Sequence, residues 1–115
     1  MVELFLHEGM PNEVVAANFN IYEDTDNEWS VEIVGTRMFD KENEDWACDE
    51  VTDLGSRQAP FVFTYAGEWE NVQKEISGYV KSYIDKGEYR DILRMLKGVG
   101  VGFVDGSIEL VYVNP

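Results

Sequence analysis

The sequence is poor in the residues that catalysis and metal binding use most often. Its 115 residues include one cysteine, Cys48, and one histidine, His7. A single cysteine excludes an internal disulfide and fits a reducing compartment, and these two residues cannot supply the four ligands of a structural zinc site. The carboxylates that follow Cys48 disfavour its thiolate, which is the form that a nucleophile needs. We therefore predict that the protein uses no metal, no cofactor and no cysteine–histidine catalysis.

Basic residues and long apolar runs are also scarce. Nine lysines and arginines stand against 23 acids, which gives a net charge of -14. No basic cluster is present to hold the phosphates of a nucleic acid, and no run of about eighteen apolar residues is present to span a membrane. Residues 1–7 lack the basic start, the long apolar run and the cleavage site of a secretion signal. We therefore expect a cytoplasmic protein that contacts neither nucleic acid nor a membrane.

The residues that are present indicate a packed globular protein. Hydrophobic residues make up 44% of the chain, with three tryptophans, six tyrosines and six phenylalanines among them. A chain of this length buries roughly two thirds of the surface that it would expose when unfolded, so it needs no disulfide to hold its core. No repeat, linker or low-complexity tract divides the sequence. We predict one domain over residues 1–115.

The clearest element is a long amphipathic helix from Glu68 to Lys86. Its apolar residues recur every three or four positions, the spacing that lines one face of a helix. Acids in the first turn and Lys86 in the last suit the helix dipole, and Gly87 can end the helix in the left-handed conformation. Gly78, inside the helix, indicates either close packing against a sheet, which is favoured, or tolerance of a glycine on an outer face. The helix is expected to cover a β-sheet, with these residues on its apolar face: Trp69, Val72, Ile76, Tyr79, Val80, Tyr83 and Ile84.

Alternation of apolar and polar residues predicts several strands in the first half of the chain. Residues 2–7 are typical of a short first strand, which the following glycine and proline end. Residues 15–22 and 29–33 are typical of the two strands of a hairpin joined by an acidic loop of several residues. Pro60 can open another strand, 61–65, whose nearly continuous apolar run favours a central position in the sheet.

The C-terminal part is predicted to contain a second, shorter helix between Gly87 and Gly98 and then a hairpin with a two-residue turn at Asp105-Gly106. Glycines in the first strand of this hairpin leave one of its faces open to the close approach of another group. Strands, two helices and a hairpin indicate an α+β fold, a largely antiparallel sheet with both helices packed on one face. The turn predicts a register in which Val99 lies opposite Tyr112, Val101 opposite Leu110 and Phe103 opposite Ile108, the last four residues lying under the long helix.

The acidic charge is concentrated in one segment, residues 23–53, which holds 12 acids against Arg37 and Lys41. Residues 24–28 begin like a calcium loop, but Trp29 stands where that loop needs glycine, so a calcium site is not expected. The segment is either a solvated surface or a docking surface for a basic protein. Its candidate aromatic anchors are Trp46, Phe39 and Trp29, of which Trp29 is expected to face the core. A docking surface requires its members to form one contiguous face: Asp24, Asp26, Glu28, Glu32, Asp40, Glu42, Glu44, Asp45, Trp46, Asp49 and Glu50.

The chain as a whole resembles small acidic bacterial immunity proteins and inhibitors of nucleic-acid enzymes, and two of its stretches are similar to those of small uncharacterised bacterial proteins: residues 46–50, Trp-Ala-Cys-Asp-Glu, and 102–106, Gly-Phe-Val-Asp-Gly. The small size, the one-sided charge and the lack of a catalytic set fit this resemblance. It implies a non-catalytic protein, monomeric or dimeric, that occludes a basic partner such as a toxin or nuclease. The alternatives are a small enzyme that uses a carboxylate pair within residues 40–53, and an adaptor or oligomer subunit.

Overall fold

The computed structural model of the chain describes residues 1–103 and 106–114, and over these residues it shows an α+β fold with a mixed β-sheet. The sheet has six strands, accompanied by three α-helices and one 3-10 helix. In chain order the elements are α1 (Val2–Leu6), β1 (Ala16–Thr25), β2 (Glu28–Thr36), the 3-10 helix (Glu44–Cys48), β3 (Glu50–Thr52), β4 (Phe61–Thr64), α2 (Trp69–Lys86), α3 (Arg90–Arg94), β5 (Gly98–Phe103) and β6 (Ile108–Val113).

The sheet runs in the order β3-β2-β1-β5-β6, and β4 pairs with β2. Strands β1 and β5 are parallel, whereas the other pairs are antiparallel. The prediction of an α+β fold is confirmed, but the prediction of a largely antiparallel sheet is wrong. The chain reaches β5 only after α2 and α3, and a connection of this length brings a strand back beside β1 in the parallel direction.

The predicted hairpin of β1 and β2 is confirmed, but its loop is much shorter than expected. Thr25 pairs with Glu28, so only Asp26 and Asn27 form the turn. Asn27 has a φ of +61°, a left-handed conformation that asparagine tolerates better than most residues and that tight hairpin turns require. The acidic residues of the turn are therefore held on a rigid hairpin.

Two other predicted strands differ from the structure. Residues 2–6 form helix α1, because Val2, Phe5 and Leu6 fit a helical spacing as well as an alternating one, and all three are buried in the core. Strand β4 lies at the edge of the sheet, because among the described residues it pairs with β2 alone. Val62 at its middle is 52% exposed, which contradicts the predicted central position.

Helix α2 has the predicted bounds, and its Val72, Ile76 and Val80 belong to the same hydrophobic core as Phe19 and Val101 of the sheet. Two details of the prediction are wrong. The helix does not end in a left-handed glycine, because Gly87 is extended with a φ of -71°. Gly78 is not closely packed, because a Cβ added there would meet no atom within 4 Å. The glycine inside the helix therefore faces open space. None of the helices in the described residues is long and apolar enough to cross a membrane.

The C-terminal hairpin forms, but its register changes by one residue between Val99 and Gly100. The predicted pair of Val99 with Tyr112 is confirmed, whereas Glu109 and not Leu110 lies opposite Val101. Ile108 and Leu110 lie opposite glycines, on the face turned away from α2, and not under the helix as predicted. Of the predicted Asp105-Gly106 turn, Asp105 lies outside the described residues.

The side of the sheet turned away from α2 is covered by the chain between β2 and β3, residues 37–49, which we call the covering segment. Trp46 is 1% exposed and packs edge-to-face on Phe39 with ring centroids 5.1 Å apart. The phenylalanine ring lies where a Cβ of Gly98 would stand, and the indole lies 3.4 Å from the Cβ position of Gly100. A helix, a bulge or another backbone was expected to approach Gly100 and Gly102. The structure places the backbone oxygen of Ser107 2.9 Å from the Cβ position of Gly102, whereas side chains lie at Gly98 and Gly100.

Glycine-to-alanine substitutions at two positions should have opposite effects on stability. Gly78→Ala should raise the free energy of unfolding by about 1 kcal/mol, because the methyl group enters open space on a helix. Gly100→Ala should lower it by about 1–3 kcal/mol, because the new Cβ would lie 2.5 Å from Asn18 Oδ1 and 2.6 Å from Ile108 Cγ2. Urea unfolding of both variants measures this contrast, and an equal or reversed effect would contradict the packing described.

Candidate acidic binding face

The structure places most of the predicted site residues in two exposed groups. One group is the turn of the β1–β2 hairpin and the other is the covering segment with the start of its 3-10 helix. We call their exposed carboxylates the acidic face: Asp24, Asp26, Glu28, Asp40, Glu42, Glu44 and Asp45. Asp49 and Glu50 follow at the end of the covering segment and the start of β3.

The hairpin group is turned toward the covered side of the sheet. Ser30 alternates along β2 with the core residues Trp29 and Val31, so its side chain lies on the side away from α2. The hydroxyl of Ser30 donates a hydrogen bond to Asp24 Oδ1 at 3.3 Å. This contact draws the acidic turn toward the side on which the covering segment lies.

The covering segment is held in place by its own polar side chains. Asn43 Oδ1 accepts from the backbone N–H of Asp45 at 3.0 Å and so caps the 3-10 helix. Glu44 Oε2 accepts from the backbone N–H of Ile108 at 2.9 Å, which ties the segment to strand β6 on the far edge of the sheet. The segment thus lies across the side of the sheet toward which the Asp24 side chain is directed.

Two of the predicted residues do not belong to the exposed face. Trp46 was expected to anchor a partner, but its indole is buried against Gly100 and Phe39 because glycine leaves room for it there. Glu32 is also buried, with 4% of the residue exposed. Both side chains are buried in the fold below the segments that carry the exposed carboxylates.

Arg57 forms ion pairs with three carboxylates of the acidic segment that are not part of the acidic face. Its guanidinium donates two hydrogen bonds to Glu50, at 3.0 and 2.7 Å, and its Nε lies 3.6 Å from Glu32 Oε2. Asp53 lies within 4.0 Å of the same group. The hydrogen bonds to Glu50, and then the surrounding negative charge, raise the pKa of Arg57 further above its ordinary range. Arg57 was not among the predicted site residues, and its only signal in the sequence is that it is the sole base between residues 42 and 73.

The other oxygen of the buried Glu32 carboxylate is held by neighbours on β1. The hydroxyl of Tyr22 donates to Glu32 Oε1 at 2.5 Å, and the amide of Asn20 donates to the same oxygen at 3.4 Å. A buried carboxylate requires such partners because removal from water disfavours its charge. Glu32 is therefore a structural residue with internal partners on both oxygens.

The exposed carboxylates, in contrast, carry uncompensated charge. Over the described part of the chain, the ion pairs of the acidic segment are that of Arg37 with Asp49, at 3.3 Å, and those of Arg57. No lysine or arginine nitrogen among the described residues lies within 4.0 Å of these four side chains: Asp26, Glu28, Glu42 and Asp45. The negative field of the segment therefore remains concentrated on the acidic face.

Comparison of the chain with protein-family models, with curated proteins and with solved structures finds no match. The geometry of this chain alone therefore carries the functional argument.

The Tyr22–Glu32 contact predicts a pH dependence of stability. Burial, and then the hydrogen bond to Glu32, raise the pKa of Tyr22 from 10.0 to about 12. Between these two values the unfolded chain releases the phenolic proton while the folded chain retains it, so the stabilisation is complete below pH 10.0 and is lost as the pH rises to about 12. NMR of 13C-labelled tyrosine rings should show Tyr22 titrating near the upper value, and titration near the lower one would contradict the contact.

A double-mutant cycle tests the Arg57–Glu32 contact. Arg57→Gln should lower the urea midpoint because it leaves the buried carboxylate of Glu32 without its cation. In the Glu32→Gln background the same substitution should cost less, because no buried charge is then left uncompensated. Arg37→Gln, which removes a cation paired with the more exposed Asp49, is the matched control and should have a small effect. Additive effects of the two substitutions at Arg57 and Glu32 would contradict the coupling.

Proposed function

We propose that the protein is a non-catalytic binding protein of the immunity or inhibitor type, which covers a basic partner such as a toxin or nuclease domain with its acidic face. One observation carries this proposal. Exposed carboxylates from two separate parts of the chain lie toward the same side of the sheet, and the described part of the chain places no basic nitrogen within 4.0 Å of four of them. Such a field attracts a positively charged surface and speeds its association.

The rigidity of the acidic face supports the same proposal. The hairpin turn is two residues long, and the covering segment is fastened by the buried Trp46 and by the bond from Ile108 N to Glu44. These contacts hold the backbone of the acidic face, so that association has chiefly the exposed side chains to order. Carboxylates fixed in this way can occupy the positions at which a nuclease would hold phosphate groups.

The alternative of an enzyme with a carboxylate pair within residues 40–53 receives less support. Asp49 contacts Arg37 at 3.3 Å, and Glu50 accepts both hydrogen bonds of the Arg57 guanidinium. Their oxygens are engaged by cations and are not directed at a common position where a substrate would lie. A binding interface gives a role to the exposed carboxylates that have no cationic partner, whereas an enzyme of this kind would not.

Charge reversal on the face should slow association with a basic partner. Basic proteins captured from a lysate by the immobilised chain supply candidates, and association rates are then measured across a salt series. The face variant carries Asp26, Glu28, Glu42 and Asp45 changed to lysine, and its association rate should fall roughly ten-fold or more at low salt. The wild-type rate should itself fall as salt rises, because exposed charges are screened within about 8 Å at physiological ionic strength.

A matched control separates the face from the overall charge. Changing Glu8, Glu13, Glu75 and Glu88 to lysine alters the net charge by the same amount at exposed positions outside the acidic segment. This control should associate nearly as fast as the wild type, and both variants should keep their stability within about 0.5 kcal/mol per substitution. If the control slows association as much as the face variant does, the acidic face has no specific role.

A further inference from the structure

An aromatic groove opens at the end of the sheet, beside the hairpin of the acidic face. Its volume is about 820 Å³. It lies where β1 and β5, the parallel strands, reach their carboxyl ends, and the first residue of α2 forms one wall. The residues that line it include Ile21, Tyr22, Glu23, Trp69, Phe103 and Ser107.

The aromatic wall of the groove is both exposed and rigid. Trp69 is 51% exposed although it belongs to the apolar face of α2. Its indole packs edge-to-face on Phe103 with ring centroids 5.8 Å apart, and Phe103 packs in the same way on Trp29 at 5.9 Å. Trp29 is buried and its Nε1 donates to the carbonyl oxygen of Tyr65 at 2.9 Å. The half-exposed Trp69 is thus linked to the buried Trp29 through Phe103, which supports one side of its indole.

The charges around the groove are negative. Glu23 lines it, and Glu68 and Glu70 flank Trp69 at the start of α2, where they offset the positive end of the helix dipole. Neither lysine nor arginine occurs among the described residues that line the groove. An exposed indole beside carboxylates is the environment that a guanidinium group prefers, because the cation is attracted by the aromatic face and its plane can stack on the ring.

We propose that this groove receives an arginine side chain of the basic partner. The inference rests on the function proposed above and names the central contact of that interface. The groove continues into the acidic face, since Tyr22 and Glu23 directly precede Asp24 on β1. Trp69 then takes the role of aromatic anchor that was predicted for Trp46, and the hairpin that carries Asp24, Asp26 and Glu28 links its groove to the acidic face on the other side of the sheet. An exposed tryptophan next to charged residues is a common source of a dominant contact in an interface.

Hexa-arginine and hexa-lysine peptides are suitable probes, because they present the two cationic side chains without a partner's fold. At low ionic strength hexa-arginine should shift the indole N–H signal of Trp69 in 15N NMR spectra and bind more tightly than hexa-lysine. Trp69→Ala should weaken hexa-arginine roughly three-fold to ten-fold and hexa-lysine less. Tyr79→Ala, which removes another exposed aromatic side chain of α2, is the matched control and should leave binding unchanged.

The results separate the groove from the acidic face. If hexa-arginine binding is lost in the face variant but unaffected by Trp69→Ala, the proposed arginine site in the groove is wrong, whereas the proposed role of the acidic face is retained. Binding that is weakened by Trp69→Ala but not by the face variant supports the groove and removes the role of the face. If Trp69→Ala fails to fold, Glu23→Gln and the Trp69 signal of the wild type replace it, and a signal that does not move at saturation with hexa-arginine overturns the proposal.

Discussion

The close packing of two aromatic rings on a glycine-rich strand is the contact on which the rest of the structure depends. Phe39 and Trp46 lie on β5 at Gly98 and Gly100, and a Cβ at residue 98 would overlap the phenylalanine ring. This contact gives the sheet a second buried side, opposite the core that it shares with α2. Without it, the covering segment would have no apolar attachment to the sheet, and strand β1 would be exposed to water on one side.

That attachment has an electrostatic cost, because it places a strongly acidic segment on a small sheet. The structure offsets the repulsion at three carboxylates, one buried and two exposed, and leaves it at the other exposed carboxylates of the acidic face. Arg57 lies against Glu32 and Glu50, and a backbone N–H of β6 meets Glu44. Charges that stabilise the fold are thus separated from those that face solvent, and only the second group is free to meet a partner.

The proposed interface combines this exposed charge with one aromatic groove. Long-range attraction by the carboxylates would orient a basic partner, and short-range contact with Trp69 would hold it, because desolvated aromatic contacts contribute more to affinity than charges at a rim. Both parts meet at the end of β1, where Tyr22 contacts Glu32 on one side and lines the groove on the other. The β1–β2 hairpin therefore connects the acidic face to the groove that contains Trp69.

The sequence by itself determined the elements whose pattern is long or locally complete: helix α2 over 18 residues and the β1–β2 hairpin. The segment 2–6 was predicted as a strand but forms helix α1, because a pattern that short fits a helix and a strand equally well. Contacts between distant residues were decided only by the tertiary structure. The parallel pairing of β1 with β5, the burial of Trp46 on Gly100 and the position of Arg57 beside Glu32 join residues that no local periodicity relates. For the same reason the acidic segment could be recognised from composition, while the division of its side chains between a buried cluster and an exposed face could not.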